Sequence, residues 1–218
     1  EKLKAEEALQ RAYEEGQALL KELQHRAKNT FSILSNMVNM EALSHESTEV
    51  REVLENIGHR IHSTSELYSL LYETGSVRHV KLDRYLDKIV ESMFSLSDQI
   101  EICTDIEPIS VSTRDANHLG LLVTELVTNA IKHAFPDNRD GRVSISLKGN
   151  EQGYLLEISD NGAGLPDDFD PEKTESMGML LIQGMIDHLG GTLEYESSNE
   201  GTRWKIALKE IKPEPDAS

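Results

Sequence analysis

The chain has 218 residues, 38% hydrophobic and 28% charged, which is enough apolar content for a folded core and too much for wholesale disorder. Asp and Glu number 39 against 22 Lys and Arg, a formal charge of −17 that disfavours counterion-displacing nucleic-acid binding and a grip on anionic lipid. A single cysteine, Cys103, excludes an intrachain disulfide and a Cys-based zinc site and fits a reducing, cytoplasmic setting; no stretch reaches the roughly 18 apolar residues of a membrane helix, and no signal-peptide pattern is present.

Residues 1–75 contain no proline. Residues at helical spacing recur there, largely in three- and four-residue steps: first Leu3, Leu9, Ala12, Gly16, Leu19, Leu23, Ala27, Phe31, Leu34 and Val38, then Val50, Leu54, Ile57, Ile61, Thr64, Tyr68 and Leu71. The spacing predicts a long helix, a polar turn near 44–48, and a second helix running back to about residue 72. A lone two-helix hairpin buries little surface, so it needs a second copy or a neighbouring domain.

From about residue 78 the pattern changes. A helix is expected over Asp83–Leu96, a strand over Ile100–Ile106, and a helix over Arg114–Phe135 stopped by Pro136. Val143–Leu147 and Tyr154–Ser159 read as a hairpin, Gly178–Leu189 as a helix, and Thr192–Glu196 with Thr202–Leu208 as a final hairpin. The expected fold class is α+β: a helical hairpin over 1–75, then an α/β sandwich over 78–211 with one mixed sheet and helices on one face. The Pro- and Glu-containing tail, 212–218, reads as disordered.

Four elements of the second half carry chemistry. On a helix, Glu125, Asn129, Lys132 and His133 share one face, opposite Leu119, Leu122, Val123, Leu126, Val127 and Ala130. A carboxylate and an amide carbonyl suit a hard cation such as Mg²⁺, although any amphipathic helix has a wet face. Asp160-Asn-Gly162-Ala-Gly164 follows a predicted strand; its glycines allow close backbone approach, and Asp160 can accept from an exocyclic amine. The same residues also make an ordinary turn. Ser176-Met-Gly178 opens a helix, where anions are favoured, and Gly201-Thr202 begins the last strand.

In this order and spacing, the four elements resemble the ATP-binding domain shared by histidine kinases, the Hsp90 chaperone, type II topoisomerases and MutL, over roughly residues 80–210. The resemblance implies a Bergerat-type fold binding ATP and Mg²⁺. Asp160 would read the adenine amine and Asn129 would hold the metal, with Lys132, His133, Gly162, Gly164, Gly178 and Thr202 around the nucleotide. Leu165–Met177 would be a mobile lid, with Phe169 as its large apolar anchor.

On the first helix Leu23, Ala27 and Phe31 define the expected buried stripe, and His25 lies about 200° round from Leu23, on the solvent side. His25-Arg26-x-Lys28-Asn29 resembles the phosphoacceptor box of sensor histidine kinases of the second dimerisation/phosphoacceptor family. It stands beside the HWE branch, since Thr124 occupies that branch's His position and Glu157-Ile-Ser-Asp160 lacks its Trp. The resemblance implies autophosphorylation of His25 by ATP and transfer to an aspartate of a response-regulator receiver domain. It further implies a homodimer and a sensor domain upstream, with residues 1–18 as a linker; the charge and hydropathy above lead to the expectation of no nucleic-acid partner and no membrane segment in this chain. Arg26 stands where the commonest branch has an acidic residue; Glu22 and Glu125 are the candidates to orient the imidazole, beside the reading that the hairpin has no dedicated base and positioning carries the transfer. The alternatives are a serine kinase of the anti-sigma-factor kind and a non-catalytic adaptor of the same architecture. His59-x-x-His62 lacks a third metal ligand, and neither a P-loop nor a Gly-x-Ser-x-Gly elbow occurs.

Overall fold

The computed structural model describes residues 2–73, 79–93, 99–136, 139–150, 153–166, 169–171, 173 and 176–209. The tail expected to be disordered, 212–218, lies outside them. The chain divides into two compact units, Glu1–Val77 and Arg78–Ser218. Among the described residues no helix is long and apolar enough to cross a membrane.

The first unit is the hairpin α1 (Lys2–Ser44) and α2 (Thr48–Glu73). Ser47 Oγ accepts the Val50 N–H at 3.4 Å at the start of α2, and Arg51 donates back to the His45 carbonyl at 3.0 Å, closing the turn. One face of α2 is small: Gly58, Ser65 and Ser69 are buried there at seven- and four-residue spacing, and Gly58 meets α1. The helices therefore approach closely, and a Cβ on Gly58 would meet Asn39 Oδ1 at 2.6 Å. From α1, Ala27, Phe31 and Val38 are half-buried and Ala42 is buried, while the Phe31 ring lies 5.2 Å from that of Tyr68. Leu23 does not join this stripe: it is 56% exposed. It sits about 80° round the helix from Phe31, and the apolar arc of α1 is wider than one neighbouring helix covers.

The second unit runs β1 (His79–Lys81), α3 (Leu82–Met93), β2 (Ile100–Ile106), β3 (Ser110–Ser112), α4 (Thr113–Asn129), a π-helical turn (Ala130–Ala134), β4 (Gly141–Asn150), β5 (Gly153–Asp160), α5 (Met177–His188), β6 (Gly191–Ser198) and β7 (Gly201–Leu208). Five of these strands form a mixed sheet in the order β2-β4-β5-β7-β6, parallel between β2 and β4 and antiparallel elsewhere. Period-two alternation sends Val143, Ile145, Leu147, Leu156, Ile158, Trp204, Ile206 and Leu208 to a buried face. There they meet the apolar sides of α3 (Tyr85, Leu86, Ile89), α4 (Leu119, Leu122, Val123) and α5 (Ile182, Ile186). Each such side chain contributes roughly 1.5–3 kcal/mol of burial. The intervening Ser144, Ser146, Glu157 and Lys205 are half-exposed, so the helices cover one face, as an α/β sandwich requires.

Two departures from the sequence reading matter. β1 and β3 pair antiparallel as a separate two-stranded sheet of three residues each, too short to show alternation. The helix expected to run through Phe135 starts at Thr113, capped by Ser112 Oγ accepting the Asp115 N–H at 3.1 Å, and is α-helical through Asn129. Its last turn is then π-helical.

Candidate nucleotide-binding site

The end of α4, the loop after β5, the start of α5 and the start of β7 surround a cleft of about 590 Å³, within the range of small-molecule sites. Asn129, His133, Asp160 and Thr202 supply its polar lining; Leu126, Met179, Ile182, Phe169 and Trp204 supply apolar walls. The π-turn explains which helix residues reach the cleft. Its i→i+5 bonding turns each residue less than an α-helix does, which brings His133 into line with Asn129 and carries Lys132 away from the lining. Nothing in the composition of Ala130–Ala134 marks this turn.

Asp160 ends β5, and its Oδ1 accepts the backbone N–H groups of Gly162 at 2.8 Å and Thr202 at 3.3 Å. Burial raises its carboxyl above the usual range, against the lowering effect of those two bonds. The loop that follows packs against the π-turn. Ala163 N–H donates to the Ala134 carbonyl at 2.8 Å, and a Cβ on Gly162 would meet that same oxygen at 2.3 Å. Gly164 has φ +80°, a left-handed conformation that side chains resist. Leu165 N–H then donates to Ser197 Oγ at 2.7 Å. The expected lid, Leu165–Met177, is partly outside the described residues, but Phe169 packs with Tyr195 and Trp204 at centroid distances of 6.0 and 6.1 Å.

Glu125 is buried at 5% exposure and does not line the cleft. It stands behind Gly178 at the start of α5: a methyl there would lie 3.6 Å from Glu125 Oε2 and 4.0 Å from Asn129 Nδ2. His25 is exposed on α1, in the other unit. One turn earlier, Glu22 Oε1 accepts from Arg26 Nε at 2.8 Å, so its carboxylate is engaged by that guanidinium. Among the described residues no group of three or more His, Cys, Asp or Glu is arranged to hold a metal.

Sequence reading missed Trp204 and Ser197 at this site. Trp204 was nonetheless reachable: it alternates with Thr202 on the last predicted strand and so shares its face.

The donors present fit an adenine nucleotide: one buried-edge carboxylate fixed by backbone N–H groups, apolar walls for a flat ring, and an amide at the far helix turn. The histidine kinase family profile matches residues 22–97, and that of the histidine kinase-, DNA gyrase B- and HSP90-like ATPases matches residues 114–212. The chain carries the two domains of a histidine kinase. Blue-light-activated histidine kinase 2 of Erythrobacter litoralis is 26% identical over 191 residues, covering 84% of this chain and 54% of that protein. Sensor histidine kinase PdtaS of Mycobacterium tuberculosis is 28% identical over 188 residues, covering 84% and 37%. This histidine kinase chain thus spans about half, or less, of the length of these curated relatives. The fold of its two units is that of the histidine kinase domain from the Erythrobacter litoralis EL346 blue-light activated histidine kinase, with a TM-score of 0.68, 22% identity, and coverage of 83% of this chain and 95% of that one.

Proposed function

We propose that the chain is the catalytic core of a two-component sensor histidine kinase working in the cytoplasm. Residues 1–75 act as the dimerisation and phosphotransfer hairpin and residues 78–211 as the ATP-binding domain. The observation that carries this reading is the convergence of Asp160, Thr202, Asn129 and His133 on one cleft, in a chain whose separate helical hairpin exposes His25.

The adenine amine donates to Asp160, whose carboxylate is pinned by Gly162 and Thr202. Trp204 and Ile182 flank the ring, and Asn129 and His133 lie toward the phosphates. Asn129 would hold Mg²⁺, a hard ion that takes few protein oxygens and offsets phosphate charge. A neutral imidazole nitrogen of His25 attacks the γ-phosphorus, the bond to the β–γ bridging oxygen breaks, ADP leaves, and the ring's other nitrogen loses its proton. Positioning and charge stabilisation supply most of the catalysis in such transfers. The phosphoryl group then passes to an aspartate of a response-regulator receiver domain. Leu19, Leu23, Leu34 and Val53, all exposed, give the hairpin an apolar surface for a second copy of the chain.

Incubation with γ-labelled ATP followed by acid tests the reading. Acid-labile label on the intact chain is expected. Acid-stable label would indicate a serine kinase of the anti-sigma-factor kind, and absence of label would indicate an adaptor.

A further inference from the structure

β6 is one of the two edge strands of the five-stranded sheet, and two of its residues grip the segment that leaves the glycine loop. Tyr195 and Ser197 are two apart, so their side chains leave the strand on one face. Ser197 Oγ accepts the Leu165 N–H at 2.7 Å; the Tyr195 hydroxyl donates to the Phe169 carbonyl at 3.3 Å. The Phe169 ring stands edge-on to the Tyr195 and Trp204 rings, which lie 5.4 Å from each other. The register sharpens the relation: Ser197 pairs with Thr202 and Tyr195 with Trp204. Each gripping residue is therefore directly opposite a β7 residue that lines the cleft, and the gripped residues, Leu165 and Phe169, line it too.

We propose that Tyr195 and Ser197 are positioning residues that dock Leu165 and Phe169 against β7, and that this docking sets the affinity of the cleft for ATP. They touch no ligand; they fix the wall that does. The proposal rests on the nucleotide reading of the cleft, and its test separates the two.

Trp204 is the chain's one tryptophan and reports on its surroundings. In the nucleotide-free full chain, Tyr195→Ala and Ser197→Ala should red-shift its emission and speed tryptic cutting at Lys173. Tyr195 is 37% exposed, so its truncation leaves the core in place, and unchanged melting of either variant checks this. Affinity for MgATP should fall about three- to tenfold, the scale of one aromatic contact or hydrogen bond, with the loss on KM for ATP rather than on kcat. Tyr195→Phe, which keeps the ring, should recover most of it. Unaltered emission and cleavage in both variants would overturn the docking. Altered emission with unaltered MgATP affinity would overturn its link to the cleft. A wild-type chain that binds no MgATP, with emission still responding to the variants, would instead overturn the nucleotide reading.

Discussion

The Asp160 carboxylate accepts the Thr202 backbone N–H at 3.3 Å, tying the end of β5 to the start of β7 on the floor of the cleft. The same carboxylate is half-buried, and burial raises its pKa. For an acid with a raised folded-state pKa, stability is greatest below the unfolded value of 3.8 and falls as pH rises through the folded value. At neutral pH the charge is therefore held against a penalty. Asp160→Asn keeps an oxygen for both N–H groups and removes the charge. Its melting temperature at pH 7 should equal or exceed that of the parent, with the difference shrinking as pH drops below the ordinary carboxylate range. Its affinity for ATP should fall about tenfold or more, the scale of a hydrogen bond to a charged group. Calorimetry and thermal melts read both.

Asn129→Ala should lose the Mg²⁺-dependent part of nucleotide affinity and leave the Mg²⁺-free part near parental. Asn129 lines the cleft from the helix, just before the π-turn, whereas Asp160 lines it from the end of β5. Titration with ATP, with and without Mg²⁺, distinguishes this variant from Asp160→Asn, which should weaken both.

His25→Gln should abolish acid-labile labelling and leave ATP affinity unchanged, because His25 belongs to a different compact unit from the cleft. Labelling of the variant at the parental level would remove His25 as the acceptor.

Glu22→Gln tests whether the hairpin carries its own base. Its carboxylate is paired with Arg26 at 2.8 Å, and both side chains are largely exposed, so the pair contributes little to stability. Autophosphorylation should fall far less than the roughly 10²-fold or greater loss that follows removal of a general base. A loss of that size would make Glu22 the group that orients His25.

Self-association should depend on the hairpin. Leu23 and Leu34 are 56% and 44% exposed, although the helical period places both at the margin of the apolar arc of α1. Sedimentation of the full chain at micromolar concentration should give a dimer, and Leu34→Glu should shift it toward monomer.

How legible each feature was depends on the range of the interaction behind it. β7 was readable because Thr202, Trp204, Ile206 and Leu208 alternate locally with exposed or half-exposed residues. The helices were readable from three- and four-residue spacing. The exposure of Leu23 was not, because periodicity defines a face and says nothing of how much of it a neighbour covers. The contacts of Phe169 with Tyr195 and Trp204 join residues far apart in the chain, so no local pattern announces them. Lys132 and Glu125 were grouped with Asn129 on the assumption of a regular α-helix, which the π-turn breaks after Asn129 for Lys132. Glu125 precedes that turn and is instead taken up behind Gly178.

A π-turn is what an α-helix becomes when it must accommodate one surplus residue between fixed ends. Asn129 is anchored by the buried residues before it, and Ala134 by its carbonyl's bond to Ala163. The alignment of His133 with Asn129 is thus encoded as a length, held in the spacing of the chain rather than in the kind of side chain. Deletion of Ile131 or Lys132, neither of which lines the cleft, would let the helix become regular and would turn His133 out of the cleft, with every lining residue still present.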